Sequence, residues 1–348
     1  GVPLRLHVKT AKAVEVATRA YGGGTGPITV STLAEAERFA DDGWTDVLYA
    51  VGIDPHKLPR VRALVDRGVA MTVLLDSLAQ AEALAAFCGE AGVVIPALVE
   101  IDCDGHRGGV LPGDPALVEI GRVLDHAGLL GGVLAHAGES YFATTRDAQA
   151  VAAENERAAL VAAAGALRAA GLPCPVVSAG STPTAHAARN LEGITEVRAG
   201  NFVFFDLVMA GIGVCSVADL ALSVVVTVIG HRPEKGWIIT DGGWMSTSRD
   251  RGTARQAVDQ GYGLVADLDG VLIPGLLMTD ASQEHGTISR APGDSRPLPD
   301  LPVGTRLRIL PNHACATAAQ HERYHVVRGA DPGDPTGVVA VWGRQNGW

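Results

Sequence analysis

Short β-branched runs recur through the first two hundred residues, each followed by a longer alanine-rich stretch of helical pattern, and this alternation leaves the chain few folds to adopt. Eight such runs stand at residues 4–9, 27–32, 46–51, 71–76, 95–101, 130–136, 175–180 and 196–201. Between them lie seven segments with helix-like pieces, among them residues 33–42, 78–91, 115–127 and 146–170. Strands separated by helices of this length pair in parallel, because the crossover covers one face of the sheet and returns the chain to the same end. Eight strands with seven crossovers predict an α/β fold, a TIM-like (β/α)8 barrel. After about residue 221 the texture changes to strand-like runs at 222–229, 237–240, 306–310, 324–328 and 338–342, separated by Gly, Pro and Asp. That pattern predicts a C-terminal antiparallel β domain. The expected division is a barrel over residues 1–215 and a β domain over 216–348.

Composition narrows the partners. A formal charge of -10 with no basic run and few aromatic residues argues against nucleic acid or an anionic membrane surface, and for small molecules. No stretch is apolar for long enough to span a bilayer, and the N-terminus lacks the pattern of a secretory signal. Five widely spaced cysteines with no C-x-x-C pair predict free thiols and a cytoplasmic protein.

In a barrel of this class the chemistry sits at the carboxyl ends of the strands. The first strand ends in Lys9, one of only four lysines beside twenty-four arginines. A nucleophilic amine must come from a lysine, since the guanidinium of arginine stays protonated. Lys57 and Lys235 lie in polar, proline-flanked turns, and Lys12 falls in the helical segment after the strand, pointing to solvent. Lys9 is the candidate. Strands seven and eight end in Ser181-Thr182 and in Gly200-Asn201, which together read as a phosphate cradle built from hydroxyls, an amide, close backbone approach and a helix N-terminus. The other use of Ser181 or Thr182 is to cap the helix starting near Thr184. A lysine amine, a phosphate cradle and an arginine on one rim point to pyridoxal 5'-phosphate, whose aldehyde forms a Schiff base with lysine and whose ring is an electron sink.

A second signal lies in the β domain, at His313 and Cys315. In an extended segment two residues at this spacing project to one face. Imidazole with thiolate favours Zn2+ over Mn2+ or Mg2+, which prefer oxygen ligands. On spacing alone the commoner meaning of such a pair is an incidental buried cysteine and a hydrogen-bonded histidine.

Together these motifs resemble the fold-type III pyridoxal-phosphate enzymes that group D-serine dehydratase, D-threo-3-hydroxyaspartate dehydratase and D-threonine aldolase, relatives of alanine racemase. The resemblance rests on residues 4–12 (LRLHVKTAK), 100–108 (EIDCDGHRG), 180–184 (GSTPT), 198–206 (RAGNFVFFD), 241–244 (DGGW), 283–286 (QEHG) and 311–317 (PNHACAT), in family order over nearly the whole chain. It implies that Lys9 carries the cofactor, that Arg107 hydrogen-bonds its phenolic oxygen, and that Ser181, Thr182, Gly200 and Asn201 hold the phosphate. His136 and Tyr141 would lie against or beside the pyridine ring, whose nitrogen faces either Arg198 or Tyr141. His313 and Cys315 match the dehydratase metal pair, whereas the aldolase branch carries aspartate at the second position. Ala11 and Phe202 stand where histidine and tyrosine are common. The family also begins with a strand and helix ahead of the barrel, so an N-terminal piece of the β domain is expected to be missing here. The implied activity is a zinc- and pyridoxal-phosphate-dependent lyase, a homodimer, eliminating water from a β-hydroxy D-amino acid such as D-serine or D-threo-3-hydroxyaspartate. The alternatives are a metal-dependent aldolase, an amino-acid racemase and a non-catalytic carrier of the cofactor.

Overall fold

Eight parallel strands close into a barrel: β1 (Leu4–His7), β2 (Ile28–Val30), β3 (Asp46–Gly52), β4 (Ala70–Leu75), β5 (Ala97–Ile101), β6 (Leu130–Ala135), β7 (Val176–Ala179) and β8 (Glu196–Ala199). The computed structural model describes residues 1–105, 107–328 and 337–348. The barrel is closed by β1 against β8, with Leu6 level with Ala199. Each of the seven crossovers carries a helix: α1 (Val14–Ala20), α2 (Leu33–Asp41), α3 (Leu58–Asp66), α4 (Leu78–Ala91), α5 (Pro115–His126), α6 (Arg146–Ala169) and α7 (Thr182–Ala187). Their starts follow local chemistry. Thr32, Ser77, Asp114 and Thr145 each accept a backbone N–H of the first turn through a side-chain oxygen, a cap contributing about 1 kcal/mol.

The strands expected from the sequence are all present, most of the barrel strands shorter than expected, the first among them. β1 stops at His7, and residues 8–11 form a turn closed by Lys12 N–H donating to the Val8 carbonyl at 2.7 Å. Inside the barrel the wall is chemically lopsided. Leu48, Leu74, Leu98 and Leu134, one from each of β3 to β6, form an apolar cluster. Strands β1, β7 and β8 contribute an ionic chain instead: Arg5 Nε donates to Glu196 at 2.9 Å, Ser178 Oγ donates to Glu196 at 2.6 Å, and Arg198 Nη1 donates to Ser178 Oγ at 2.5 Å. Such groups are buried at acceptable cost only when every one is paired.

The second unit is built on a closed antiparallel barrel of β9 (Val224–Arg232), β10 (Trp237–Thr240), β11 (Gly263–Ala266), β12 (Leu272–Ala281), β13 (Gly286–Arg290) and β14 (Arg306–Leu310), in the order β10-β13-β12-β11-β14-β9. Its core takes alternate residues, as the two-residue period of a strand requires: Val224, Val226 and Val228 from β9, Leu307 and Ile309 from β14, with Ile238, Val265, Leu276, Met278 and Ile288. Three short helices, α8 (Leu207–Gly211), α9 (Trp244–Thr247) and α10 (Ala314–Ala318), and a hairpin of β15 (Arg323–Val327) with β16 (Val338–Gly343) complete it. Two of the sequence motifs meet here. Trp244 and Met245 N–H groups donate to the carbonyls of Ser282 and Gln283 at 3.0 and 3.1 Å, and a Cβ on Gly243 would stand 2.2 Å from the Ser282 oxygen.

The compact units are residues 1–202 with 345–348, and residues 203–344. The division falls ahead of the 215/216 boundary expected from sequence because the intervening segment bonds to the second unit: Leu207 and Val208 N–H groups donate to the carbonyls of Pro311 and Asn312 at 3.1 Å each. Among the described residues no helix is long and apolar enough to cross a membrane.

Candidate active site

Lys9 lies half-buried in the turn after β1, two residues beyond His7, whose imidazole sequence reasoning quoted but gave no role. Its backbone N–H approaches His7 Nδ1 at 3.4 Å. His7 is held well below its ordinary pKa of 6.5, first by burial and then by the positive charges of Lys9 and Arg198, which places these three groups in one field. The remaining lysines are accounted for differently. Lys12 does not point to solvent: its Nζ lies 3.0 Å from the fully buried carboxylate of Glu35, because a left-handed backbone at Lys12 (φ 48°) turns the side chain inward before α1 begins. Lys57 lies over the rings of Tyr49 and Trp348, and Lys235 over that of Trp237.

Behind Lys9 the ends of β6, β7 and β8 are laced together. His136 Nδ1 lies 3.0 Å from the Gly180 carbonyl, and its ring centroid is 6.2 Å from that of Tyr141. Burial, then the charge of Lys9, pushes the His136 pKa down to about 3, so the ring is neutral throughout the usual range. Arg107 is exposed and donates through Nη2 to Glu100 at 3.1 Å; the neighbouring His106 lies outside the described residues. Arg198 is buried, its terminal nitrogens bonded to Ser178 Oγ and the Ala135 carbonyl at 2.5 Å each.

The residues expected to form a phosphate cradle stand at the ends of the neighbouring strands β7 and β8, with two refinements. Ser181 is the N-cap of α7: its Oγ accepts the Thr184 N–H at 3.2 Å and lies 2.8 Å from Ser140 Oγ. The helix it caps is too short to supply much of a dipole, so a cradle here would rest on hydroxyls. Gly180 and Gly200 are glycines for packing reasons, since a Cβ would stand 1.9 Å from the Arg198 oxygen in the first case and 2.4 Å from the His7 oxygen in the second. Asn201 is buried at 6 % exposure. Thr182 is the informative residue. Its Oγ1 is buried with no hydrogen-bond partner among the described residues, and a buried hydroxyl left in that state is unfavourable by about 1–3 kcal/mol. An acceptor such as a phosphate oxygen fits it.

In the second unit His313 and Cys315 do not share an extended segment as expected. His313 is extended (φ -134°, ψ 109°), but α10 starts immediately after it and Cys315 sits in the first turn of that helix. The turn is imposed by Asp206, fully buried, which accepts Ala314 N–H at 2.9 Å and caps α8 by accepting Met209 N–H at 3.0 Å. The two side chains still meet, because Cys315 and Asp250 both hydrogen-bond His313, Asp250 Oδ2 at 2.6 Å from Nδ1. Among the described residues no group of three His, Cys, Asp or Glu side chains forms a closed metal site. Sequence reasoning missed Asp206 and Asp250, and also Glu156, a buried carboxylate on α6.

Comparison with known proteins places this arrangement. The model of the "Alanine racemase, N-terminal domain" family matches residues 1–208, and that of the "Putative serine dehydratase domain" matches residues 221–327. The chain belongs to this alanine racemase-like family. It is 56% identical over 352 residues to the D-threo-3-hydroxyaspartate dehydratase of Delftia sp. (strain HT23), covering 100% of this chain and 91% of that protein. The solved structure of that dehydratase superposes with a TM-score of 0.95 at 55% identity, again over 100% and 91% of the two chains. Its structures include a histidine-to-alanine variant and a cysteine-to-alanine variant in the metal-free form, the two substituted positions separated by one residue as His313 and Cys315 are. The D-serine dehydratase of Dictyostelium discoideum is 27% identical over 94% of this chain and 87% of its own. A D-threonine aldolase from Filomicrobium marinum matches with a TM-score of 0.79 at 27% identity over 99% and 88%. The fold is thus the one expected, a parallel eight-stranded barrel with a C-terminal antiparallel β domain.

Proposed function

We propose that this protein is a pyridoxal-phosphate- and zinc-dependent lyase that eliminates water from a β-hydroxy D-amino acid, D-threo-3-hydroxyaspartate or D-serine, giving a 2-oxo acid and ammonia. The observation that carries the reading is the His313–Cys315 pair at the start of α10, with cysteine and not aspartate at its second position, in a chain 56% identical to a dehydratase.

Lys9, Arg107, His136, Tyr141, Ser181, Thr182, Gly200 and Asn201 would hold the cofactor, and His313 with Cys315 the metal. When bound, pyridoxal phosphate supplies an electron sink for charge developing at Cα, and zinc supplies a Lewis acid for the departing β-hydroxyl. The chain's own part is positioning and proton transfer. Lys9, half-buried in the turn after β1 and two residues beyond His7, supplies the amine that acts as general base. It takes the Cα proton of the substrate. His136 presents a neutral ring of fixed tautomer, and therefore neither competes for that proton nor repels a cationic ring. The orphan hydroxyl of Thr182 donates to the phosphate.

The test is product identification by mass spectrometry after incubation with D-serine, D-threonine and both diastereomers of 3-hydroxyaspartate. Ammonia with pyruvate or oxaloacetate is the expected result. Glycine with an aldehyde as the dominant products would move the chain to the aldolase reading, which the likeness to D-threonine aldolase keeps as the second choice.

A further inference from the structure

We propose that Glu156 is a positioning residue for the cofactor's 5'-phosphate: its carboxylate ties the loop after β6 to the loop after β7, and so sets the spacing of the groups that receive the phosphate. The inference rests on the reading of the barrel as a pyridoxal-phosphate site.

Glu156 sits in the middle of α6, at 2 % exposure, on the buried stripe that also includes Gln149, Ala153, Leu160 and Leu167. A carboxylate on such a stripe is unfavourable by several kcal/mol unless its oxygens are satisfied. They are. Oε1 accepts the backbone N–H of Ala137 at 3.1 Å and that of Gly180 at 3.0 Å, so one oxygen bridges the loops after β6 and β7. Oε2 accepts the hydroxyl of Thr184 at 2.8 Å.

Thr184 has one proton and gives it to the carboxylate, so toward Ser181 it acts as an acceptor, taking the Ser181 N–H at 3.1 Å and the Ser181 hydroxyl at 3.0 Å. Ser181 Oγ in turn lies 2.8 Å from Ser140 Oγ. The carboxylate thus fixes Thr184 Oγ1 as the acceptor of the Ser181 N–H. Glu156 takes the backbone N–H groups of Ala137 and Gly180 and the hydroxyl of Thr184, while the adjoining Thr182 hydroxyl, without a partner among the described residues, stays available to a ligand. Arg198, also buried and attracted to Glu156, compensates the negative charge beneath an anion site. An apolar residue at position 156 would pack the helix equally well. It would leave two buried N–H groups unpaired and the two loops untethered.

The contacts of Glu156 separate a phosphate-specific role from a general structural one. Apoprotein is titrated with pyridoxal 5'-phosphate and, separately, with pyridoxal, which carries the same aldehyde and ring but no phosphate; binding is read from absorbance and from borohydride fixation on Lys9. Failure of the wild-type chain to bind either compound rejects the cofactor reading itself, apart from anything Glu156 does. With that reading standing, Glu156→Ala is expected to weaken pyridoxal phosphate by about tenfold or more while pyridoxal changes by less than about twofold. Thr184→Val, a smaller change that removes the link from Glu156 Oε2 to Ser181 while leaving the Oε1 bridge between the loops in place, is expected to show the same selectivity and decides the matter if Glu156→Ala does not fold. Equal loss for both compounds, or no loss for either, overturns the proposal.

Discussion

His136 and Gly180 are joined by a 3.0 Å contact between imidazole Nδ1 and a backbone carbonyl. A carbonyl oxygen only accepts, so Nδ1 carries the hydrogen and Nε2 is the bare nitrogen. The bond therefore fixes both the tautomer and the plane of the ring, and it locks the end of β6 to the loop after β7.

Stability should show that this ring is neutral. Its folded pKa is about 3 against an ordinary 6.5, lowered by burial and by Lys9. Between those values the unfolded chain binds a proton that the folded chain does not, so the contribution is complete above about pH 6.5 and is lost as pH falls toward 3. Urea midpoints of the apoprotein measured from pH 8 to pH 4 should drop more steeply for the wild type than for His136→Phe. Parallel curves would show that His136 titrates normally. His7, lowered in the same direction, contributes to both curves alike.

Lys9 should be the attachment point. Borohydride treatment of the holoenzyme is expected to fix the cofactor on the peptide containing Lys9, and Lys9→Ala to lose the visible-edge absorbance together with at least about a thousandfold of turnover. Label on Lys12 would defeat the assignment, and the Lys12–Glu35 ion pair gives the physical reason to expect none there.

Metal removal should abolish turnover while the absorbance of the attached cofactor persists, because the proposed attachment residues all belong to the barrel unit and the metal pair to the other. Metal content by plasma mass spectrometry is expected to be zinc and to disappear in both His313→Ala and Cys315→Ala. Cys315→Asp, offering a harder oxygen ligand, should shift metal preference toward manganese. Full activity after verified metal removal would refute the role given to the pair.

The sequence displayed its large-scale design openly. Eight β-branched runs in alternation with helical segments carry enough periodicity to place every barrel strand, and Lys9 stood out because arginine so outnumbers lysine. What it concealed were groups whose role depends on direction. Glu156 sits between Asn155 and Arg157 in a run that looks solvent-facing, yet it falls in step with Ala153 and Leu160 on the buried stripe of α6. That misplaced charge was the available signal. Lys12 was misjudged because a single left-handed residue reverses where a side chain points, and nothing in its identity announces it. The His313–Cys315 segment was read as a strand because side-chain spacing alone cannot report that Asp206, over a hundred residues away, folds it into a helix start.

That long-range control by Asp206 yields the last expectation. Its two carboxylate oxygens serve two different elements, Oδ1 the Met209 N–H of α8 and Oδ2 the Ala314 N–H between the two metal-pair residues. An amide has one acceptor oxygen in place of two, so Asp206→Asn must give up one of these bonds and bring an NH2 group against a backbone N–H. Because Asp206 is fully buried, water cannot substitute, and a loss of about 1–3 kcal/mol in unfolding free energy is expected. If the bond surrendered is that to Ala314, the pair loses its fixed spacing, and metal affinity measured by chelator competition should fall by about tenfold, the scale on which supporting hydrogen bonds act at metal sites. Asp219→Asn, which disrupts the exposed capping box at Ser216 in the same unit, is the control and should leave metal affinity unchanged. Metal affinity equal to the wild type in Asp206→Ala, which gives up both bonds, would show that Asp206 supports the fold of this unit without setting the His313–Cys315 spacing.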